Sequence, residues 1–240
     1  MSFRNSTTIV ASPRPRVGKT LIARLLTDFH MHEGRSVEAF DLNSGGGTLA
    51  AFAPERATVS EIADIKGQIA LFDRLIADDG VTKVVDLGHE SFEAFFALAG
   101  KIGFVEEAHR RAIAPAILFV ITPDATAVDA YRSLRARFPQ AVLTPVHNEI
   151  FGAAQHRDKY QLTGHGEVMV HLPLLAPGVR KYIETPPFSF VDAALASSRI
   201  PLAVQVELQS WLRRVWREFR ELDLRLLLAD LQSSTGHGSA

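Results

Sequence analysis

Short apolar runs of strand length alternate along this chain with longer stretches whose apolar residues recur every three or four positions. The runs 7–11, 36–41, 83–87, 116–121, 141–146 and 168–172 are predicted as strands. Helical periodicity covers 19–33, 60–78, 92–102 and 127–137, with Ser60 as the N-cap expected for the second of these. Strands alternating with helices in this way predict a parallel sheet with helices on both faces, and in such sheets a ligand sits at the carboxyl ends of the strands. From Pro201 the pattern changes. Leu208, Leu212, Val215, Phe219, Leu222, Leu226 and Ala229 step by four and three, the spacing of a helical seam. Arg213, Arg214, Arg217 and Arg220 decorate the same helix, either as a solvated face or as a basic surface for DNA, acidic lipid or a partner protein. The expected organisation is a domain over 1–200, a C-terminal helix over 201–232 and a small, polar, disordered tail over 233–240.

Composition narrows this picture only a little. At 240 residues, 47% hydrophobic and 22% charged, the chain suits one α/β domain with a large core. A formal net charge of −1 argues against global attraction to nucleic acid and leaves room only for a local basic patch. With no cysteine there is no disulfide, thiol nucleophile or zinc–thiolate site, which fits a reducing cytoplasm. The longest apolar run, 112–122, is interrupted by Pro115 and is too short to span a bilayer, and the N-terminus lacks the apolar core of a signal peptide. The expectation is a soluble, cytoplasmic protein.

The chemistry concentrates after the first strand, in Ser12-Pro13-Arg14-Pro15-Arg16-Val17-Gly18-Lys19-Thr20. Gly18-Lys19-Thr20 is the ending of a phosphate-binding loop, but Pro13 stands where the strict G-x-x-x-x-G-K-[ST] pattern has glycine. Such a loop works through successive backbone N–H groups that form a concave nest at a helix N-terminus. Pro13 and Pro15 have no N–H to offer, and Arg16 brings a Cβ, so the nest is reduced to the amides of Arg16, Val17, Gly18, Lys19 and Thr20. In this reading Lys19 reaches the β- and γ-phosphates of ATP, and the Thr20 hydroxyl holds Mg²⁺. The plainer alternative is a strand-to-helix turn in which Gly-Lys-Thr occurs by chance. Asp41 and Asp86 end apolar strands, where a carboxylate either serves a ligand or caps a turn, and Asp86 suits a water-mediated Mg²⁺ ligand. Asn148 follows a strand, where its amide can read a nucleotide base or form a turn. The nine histidines show no ligand spacing on one helix.

These residues resemble the deviant Walker A loop of the ParA/MinD family, x-G-K-G-G-x-G-K-[ST]. Residues 34–43 resemble that family's second strand, which ends in D-x-D, and Val84-Val85-Asp86-Leu87-Gly88 resembles its Walker-B-like strand; the likeness extends over 7–196. The aspartate–glycine strand end and the terminal helix look most like TraL-like proteins of conjugative-transfer regions. The resemblance implies a P-loop NTPase-like fold, an ATP- and Mg²⁺-dependent homodimer, a partner protein, and a positioning or assembly role in plasmid partition or conjugative transfer. It places Asn148 and Pro173 at the adenine, Asp41 near the chemistry, and Arg14 where the family's signature lysine reaches the partner's nucleotide. Arginine keeps that charge but not its shape. Asn43 aligns with the second aspartate of D-x-D, associated in the family with the attacking water, and an amide lacks the carboxylate's charge. Hydrolysis is therefore expected to be slow or absent. The competing expectation is a non-enzymatic adaptor that keeps the fold; a small-molecule kinase would need a lid-like arginine cluster that the sequence does not show.

Overall fold

The computed structural model describes residues 5–43, 48–151, 169–193 and 200–235. Strand β1 (Ser6–Ala11) leads through the loop at 12–18 into helix α1 (Lys19–His32). Then come β2 (Val37–Leu42), α2 (Thr48–Phe52), β3 (Ala57–Val59), α3 (Ile65–Leu75) and β4 (Thr82–Leu87). They are followed by α4 (Phe92–Lys101), α5 (Phe104–Arg110), β5 (Ala114–Val120), α6 (Ala125–Arg137), β6 (Val142–Asn148) and a 3-10 turn (Glu149–Phe151). The remaining described elements are β7 (Val170–Leu172), α7 (Pro177–Ile183), α8 (Phe190–Ala193) and α9 (Leu202–Thr235).

The strands pair in parallel in the order β3-β2-β4-β1-β5-β6-β7. The chain leaves the central strand β1 toward β2 on one side and later reaches β5 on the other, so the switch in strand order falls at β1. Side-chain alternation divides the strands between two cores. Val10, Ala39, Val84, Ala116, Leu118 and Val120 face α1, α8 and α9, whereas Ile9, Phe40, Val85, Leu87, Ile117 and Phe119 face α3, α4, α5 and α6. By the same parity Asp41 and Asp86 lie on the α1 side, two residues beyond Ala39 and Val84. The expected parallel sheet with helices on both faces is the fold of this chain.

The helix expected over 60–78 is shorter at both ends. Ser60 is no cap: its N–H donates to the Asp41 carbonyl at 2.9 Å, prolonging the β2–β3 pairing. Asp64 caps α3 instead, accepting from Gly67 N at 2.7 Å. The helix stops at Leu75 because nearby side chains take the carbonyls beyond it: the Thr7 hydroxyl donates to Leu75 O at 2.7 Å and Lys83 Nζ to Ala77 O at 2.6 Å.

The C-terminal seam closes on its own domain. Leu208, Trp211, Leu212, Val215, Trp216, Phe219, Leu222 and Leu226 are all buried in the core beneath α1, and Phe29 of α1 meets Trp216 and Phe219 at ring-centroid distances of 5.6 and 5.5 Å. The helix runs through Thr235, three residues into the segment expected as tail. Extending an existing helix costs far less than starting one, so a polar stretch is readily carried along. Arg213, Arg214 and Arg217 are exposed, while Arg220 pairs with Glu33 at the end of α1. The side chain of Ala229, the glycine run 45–47, Val168 and residues 194–199 and 236–240 lie outside what is described. Among the described residues no helix is long and apolar enough to cross a membrane.

Candidate functional site

The loop after β1 turns on two left-handed residues, Arg16 (φ 59°) and Gly18 (φ 96°). For Arg16 that conformation costs roughly 1–2 kcal/mol, which the turn into α1 must offset. A larger residue at Gly18 would be strained at this φ and would have to displace Asn148, since a Cβ there would sit 2.5 Å from Asn148 Nδ2. Asn148, at the end of β6, donates through that Nδ2 to Val17 O at 3.0 Å, and its Oδ1 accepts from Ile150 N at 3.2 Å. Its amide thus holds the loop from behind. Lys19 folds back onto the loop, donating from Nζ to Arg14 O at 2.7 Å. Burial lowers its pKa, with the Asp86 charge acting against that. The Arg14 side chain points to the β5–α6 junction, where Nε and Nη2 reach Asp124 Oδ1 at 2.9 and 2.5 Å. Asp124 also N-caps α6, accepting from Ala127 N at 3.2 Å. Burial works against its ionisation, but the bonds from Arg14 and Thr122 prevail and hold it below the usual carboxylate range.

Beside the loop stands a group of polar side chains from three neighbouring strands or their ends. Asp41 and Asp86 are in register across β2 and β4, and neither has any exposed surface. Thr20 Oγ1 donates to Asp86 Oδ2 at 2.7 Å. Asn43 Nδ2 lies between the carboxylates, 2.7 Å from Asp41 Oδ1 and 2.8 Å from Asp86 Oδ2. The other oxygen of Asp41 accepts from Ala50 N at 3.0 Å, tying the start of α2 to the end of β2. Gly88 lets the chain leave β4 close to this group, because a Cβ there would lie 2.6 Å from Leu42 O. Asp86 Oδ1 is buried and has no hydrogen-bond partner among the described residues. Burial pushes the Asp86 pKa up to about 6; the Asp41 charge adds to this, and the bonds from Thr20 and Asn43 and the Lys19 charge oppose it. A buried carboxylate with a spare oxygen next to a threonine hydroxyl is a donor set that suits a small hard cation or its water.

On the other side of Gly18 lies a cavity of about 180 Å³. Leu21, Asn148, Leu172, Pro173 and Trp211 form its walls, and Arg16 and Arg180 stand among its polar lining. Trp211 comes from α9, and its Nε1 donates to Pro173 O at 2.8 Å.

The sequence-derived residues thus fall into two groups flanking Gly18. Lys19, Thr20, Asp41, Asn43 and Asp86 gather at the ends of β1, β2 and β4, while Arg16, Gly18, Asn148 and Pro173 line or border the cavity. Val17 is buried under the loop and presents its carbonyl to Asn148. Arg14 reaches away from both groups to Asp124. Asp124 and Trp211 escape a reading by motif. The Thr122-Pro123-Asp124 sequence ahead of α6 signals a cap, though nothing local links it to Arg14, and Trp211 is one position from Leu212 in the α9 seam.

No family model and no curated protein sequence matches the chain. Solved structures do. A protein assigned to plasmid partition from Borrelia burgdorferi B31, bound to AMPPNP, aligns with 91% of this chain and 99% of its own at a TM-score of 0.52 and 9% identity. The MinC:MinD cell division complex of Aquifex aeolicus matches over 88% of this chain and 95% of its own, with TM-score 0.49 and 14% identity. A nucleotide-binding protein in complex with ADP from Archaeoglobus fulgidus matches over 75% and 86%, with TM-score 0.45 and 16% identity. At 9% identity the likeness is one of fold: the chain shares the parallel α/β fold of the partition-assigned protein, here closed by a long C-terminal helix.

Proposed function

We propose that this protein is a ParA/MinD-like nucleotide-dependent switch that binds ATP with Mg²⁺ beside Gly18, dimerises in that state and hydrolyses slowly or not at all. Its cellular task is positioning or assembly, as in plasmid partition or conjugative transfer. The observation that carries this is the convergence of Thr20, Asn43, Asp41 and Asp86 on one side of the Gly18-Lys19-Thr20 turn, with a cavity on the other. Phosphates belong at the amides of 16–20, where the N-terminus of α1 favours an anion. Lys19 exchanges its bond to Arg14 O for the terminal phosphate. Thr20 and Asp86 are the residues that would hold Mg²⁺, which supplies charge neutralisation between the phosphates. The base fits the cavity between Asn148 and Pro173. Arg14 is held by Asp124 in the single chain and has to leave it to serve a partner's nucleotide. The exposed Arg213, Arg214 and Arg217 offer α9 as a surface for a partner protein, DNA or an acidic membrane.

A second reading has its own support. Lys19, Arg14 and Asn43 all find partners within the chain, so the site is largely satisfied without a ligand, as in an adaptor that has kept the fold and lost the ATPase. Thermal unfolding with ATP and Mg²⁺ separates the two. A ligand bound only by the native state stabilises it by about 2.7 kcal/mol at a hundredfold excess over Kd. Wild type is expected to melt several degrees higher with ATP and Mg²⁺, Lys19→Ala to show no shift, and light scattering to report a dimer only in the first case. Equal stabilisation of both proteins would remove Lys19 from the site, and no shift in wild type would leave the adaptor.

A further inference from the structure

One wall of the cavity comes from an element that a phosphate-loop site does not require. Trp211 is 1% exposed, lines the same cavity as Gly18, and spends its indole N–H on Pro173 O at 2.8 Å. Two helical turns further along α9, the Glu218 carboxylate accepts from His171 N at 2.9 Å. His171 and Pro173 bracket the end of β7, one of the two edge strands of the described sheet. An edge strand has backbone groups without a strand partner, and α9 takes a donor from this one, His171 N, and an acceptor from the residue just after it, Pro173 O. The turn that follows, 173–176, has a further hold on its backbone at Leu174, whose N–H donates to Glu149 Oε2 at 2.8 Å. Leu174 itself is 58% exposed, while Leu175 and Ala176 are partly buried against the core, so packing and these hydrogen bonds fix the turn together.

We infer that Trp211 is a positioning residue for the base: through Pro173 it sets the distance between the β7–α7 turn and Asn148, and so makes α9 part of the ligand site. The inference deepens the nucleotide reading and rests on it. Packing alone would be served by phenylalanine, whereas the indole N–H is directed at the backbone of the cavity's own lip. The hydrogen bonds that build the phosphate side of the site, from Lys19 to Arg14 O and from Thr20 to Asp86, do not involve Trp211.

The test separates base from phosphate. Wild type and Trp211→Phe are titrated by calorimetry with ADP and with tripolyphosphate, which has the charge but no base. Loss of one hydrogen bond that orders the lip is expected to weaken ADP by roughly three- to tenfold and leave tripolyphosphate unchanged. Unchanged ADP affinity, or an equal fall for both ligands, overturns the inference while leaving the nucleotide reading in place. Absence of ADP binding by wild type overturns both. Should Trp211→Phe fold poorly, Trp216→Phe decides, because it leaves Trp211 as the sole tryptophan. ADP should then shift its emission and tripolyphosphate should not; an emission indifferent to ADP that is bound overturns the inference as well.

Discussion

Asp86 has no exposed surface, stands in register beside Asp41, and has its pKa pushed up to about 6 by burial first of all. Against an ordinary value of 3.8, this means that ionised Asp86 costs the folded state, a penalty absent below about pH 4 and complete above about pH 6. A cation takes only the ionised carboxylate, so proton and Mg²⁺ compete for it. The Mg²⁺-dependent gain in ATP affinity should therefore shrink as pH falls from 7 to 5, by more than the ligand's own titration accounts for. Calorimetry at a series of pH values checks this, with Asp86→Asn as the reference that shows the ligand's titration alone; parallel curves for the two proteins would exclude Asp86 as the metal's ligand. The position of such residues was legible in the sequence as a carboxylate ending an apolar strand, though not which of the two readings holds, and Asp41 does cap its turn by accepting from Asn43 N at 3.1 Å. Asp124 was not: its bond to Arg14 joins positions 110 residues apart, and only the sheet order brings the ends of β1 and β5 together. Trp211 was missed for a related reason, since a seam read from spacing separates buried from exposed positions without saying which buried residue borders a cavity.

At the scale of elements, burial decided what could be read. β1, β4 and β5 are buried almost throughout, and their apolar runs announced them. β3 has three residues, two of them exposed, and α2 has five residues with only Leu49 buried, so neither carries a period to detect. The start of α3 was misplaced because Ser60 and Asp64 are both good caps by type, and the pairing of Ser60 with Asp41 decides between them. α9 was read correctly as an apolar seam with its cover unspecified; the cover is the α1 side of the sheet. Phe219 is 1% exposed and touches both Phe29 and Trp216. Replacing it with alanine removes a large buried ring, and Phe219→Ala should cost about 3–5 kcal/mol of unfolding free energy. Urea denaturation followed by circular dichroism measures this. A loss below about 1 kcal/mol would mean that α9 can leave the domain at little expense.

For the whole molecule, the proposed turnover would draw on pieces delivered by distant segments: the loop after β1, the ends of β2 and β4, and Arg14, which would have to leave its pairing with Asp124 at the β5–α6 junction. Preorganised donors at a transferring phosphoryl group are each worth roughly a hundredfold or more in rate, and Pro13, Pro15 and Arg16 disturb the nest that would provide them. Asn43→Asp should not restore hydrolysis. It would exchange a donor shared by two buried carboxylates for a third carboxylate, so the variant should also melt below wild type in the absence of Mg²⁺. Phosphate release assays and melting curves report both effects; a variant that turns over briskly would make the missing carboxylate the main defect. The closure of one core by α9 also bears on biosynthesis. As the chain leaves the ribosome, β1 to β6 can pair before α9 exists, but Phe29 lacks Trp216 and Phe219 and β7 keeps a bare edge until residues through Leu226 have emerged. Exposed aromatic surface and unpaired strand edges are what nascent chains aggregate through. A translation product that stops short of α9 would therefore be a client for chaperones and proteases rather than a smaller version of the protein.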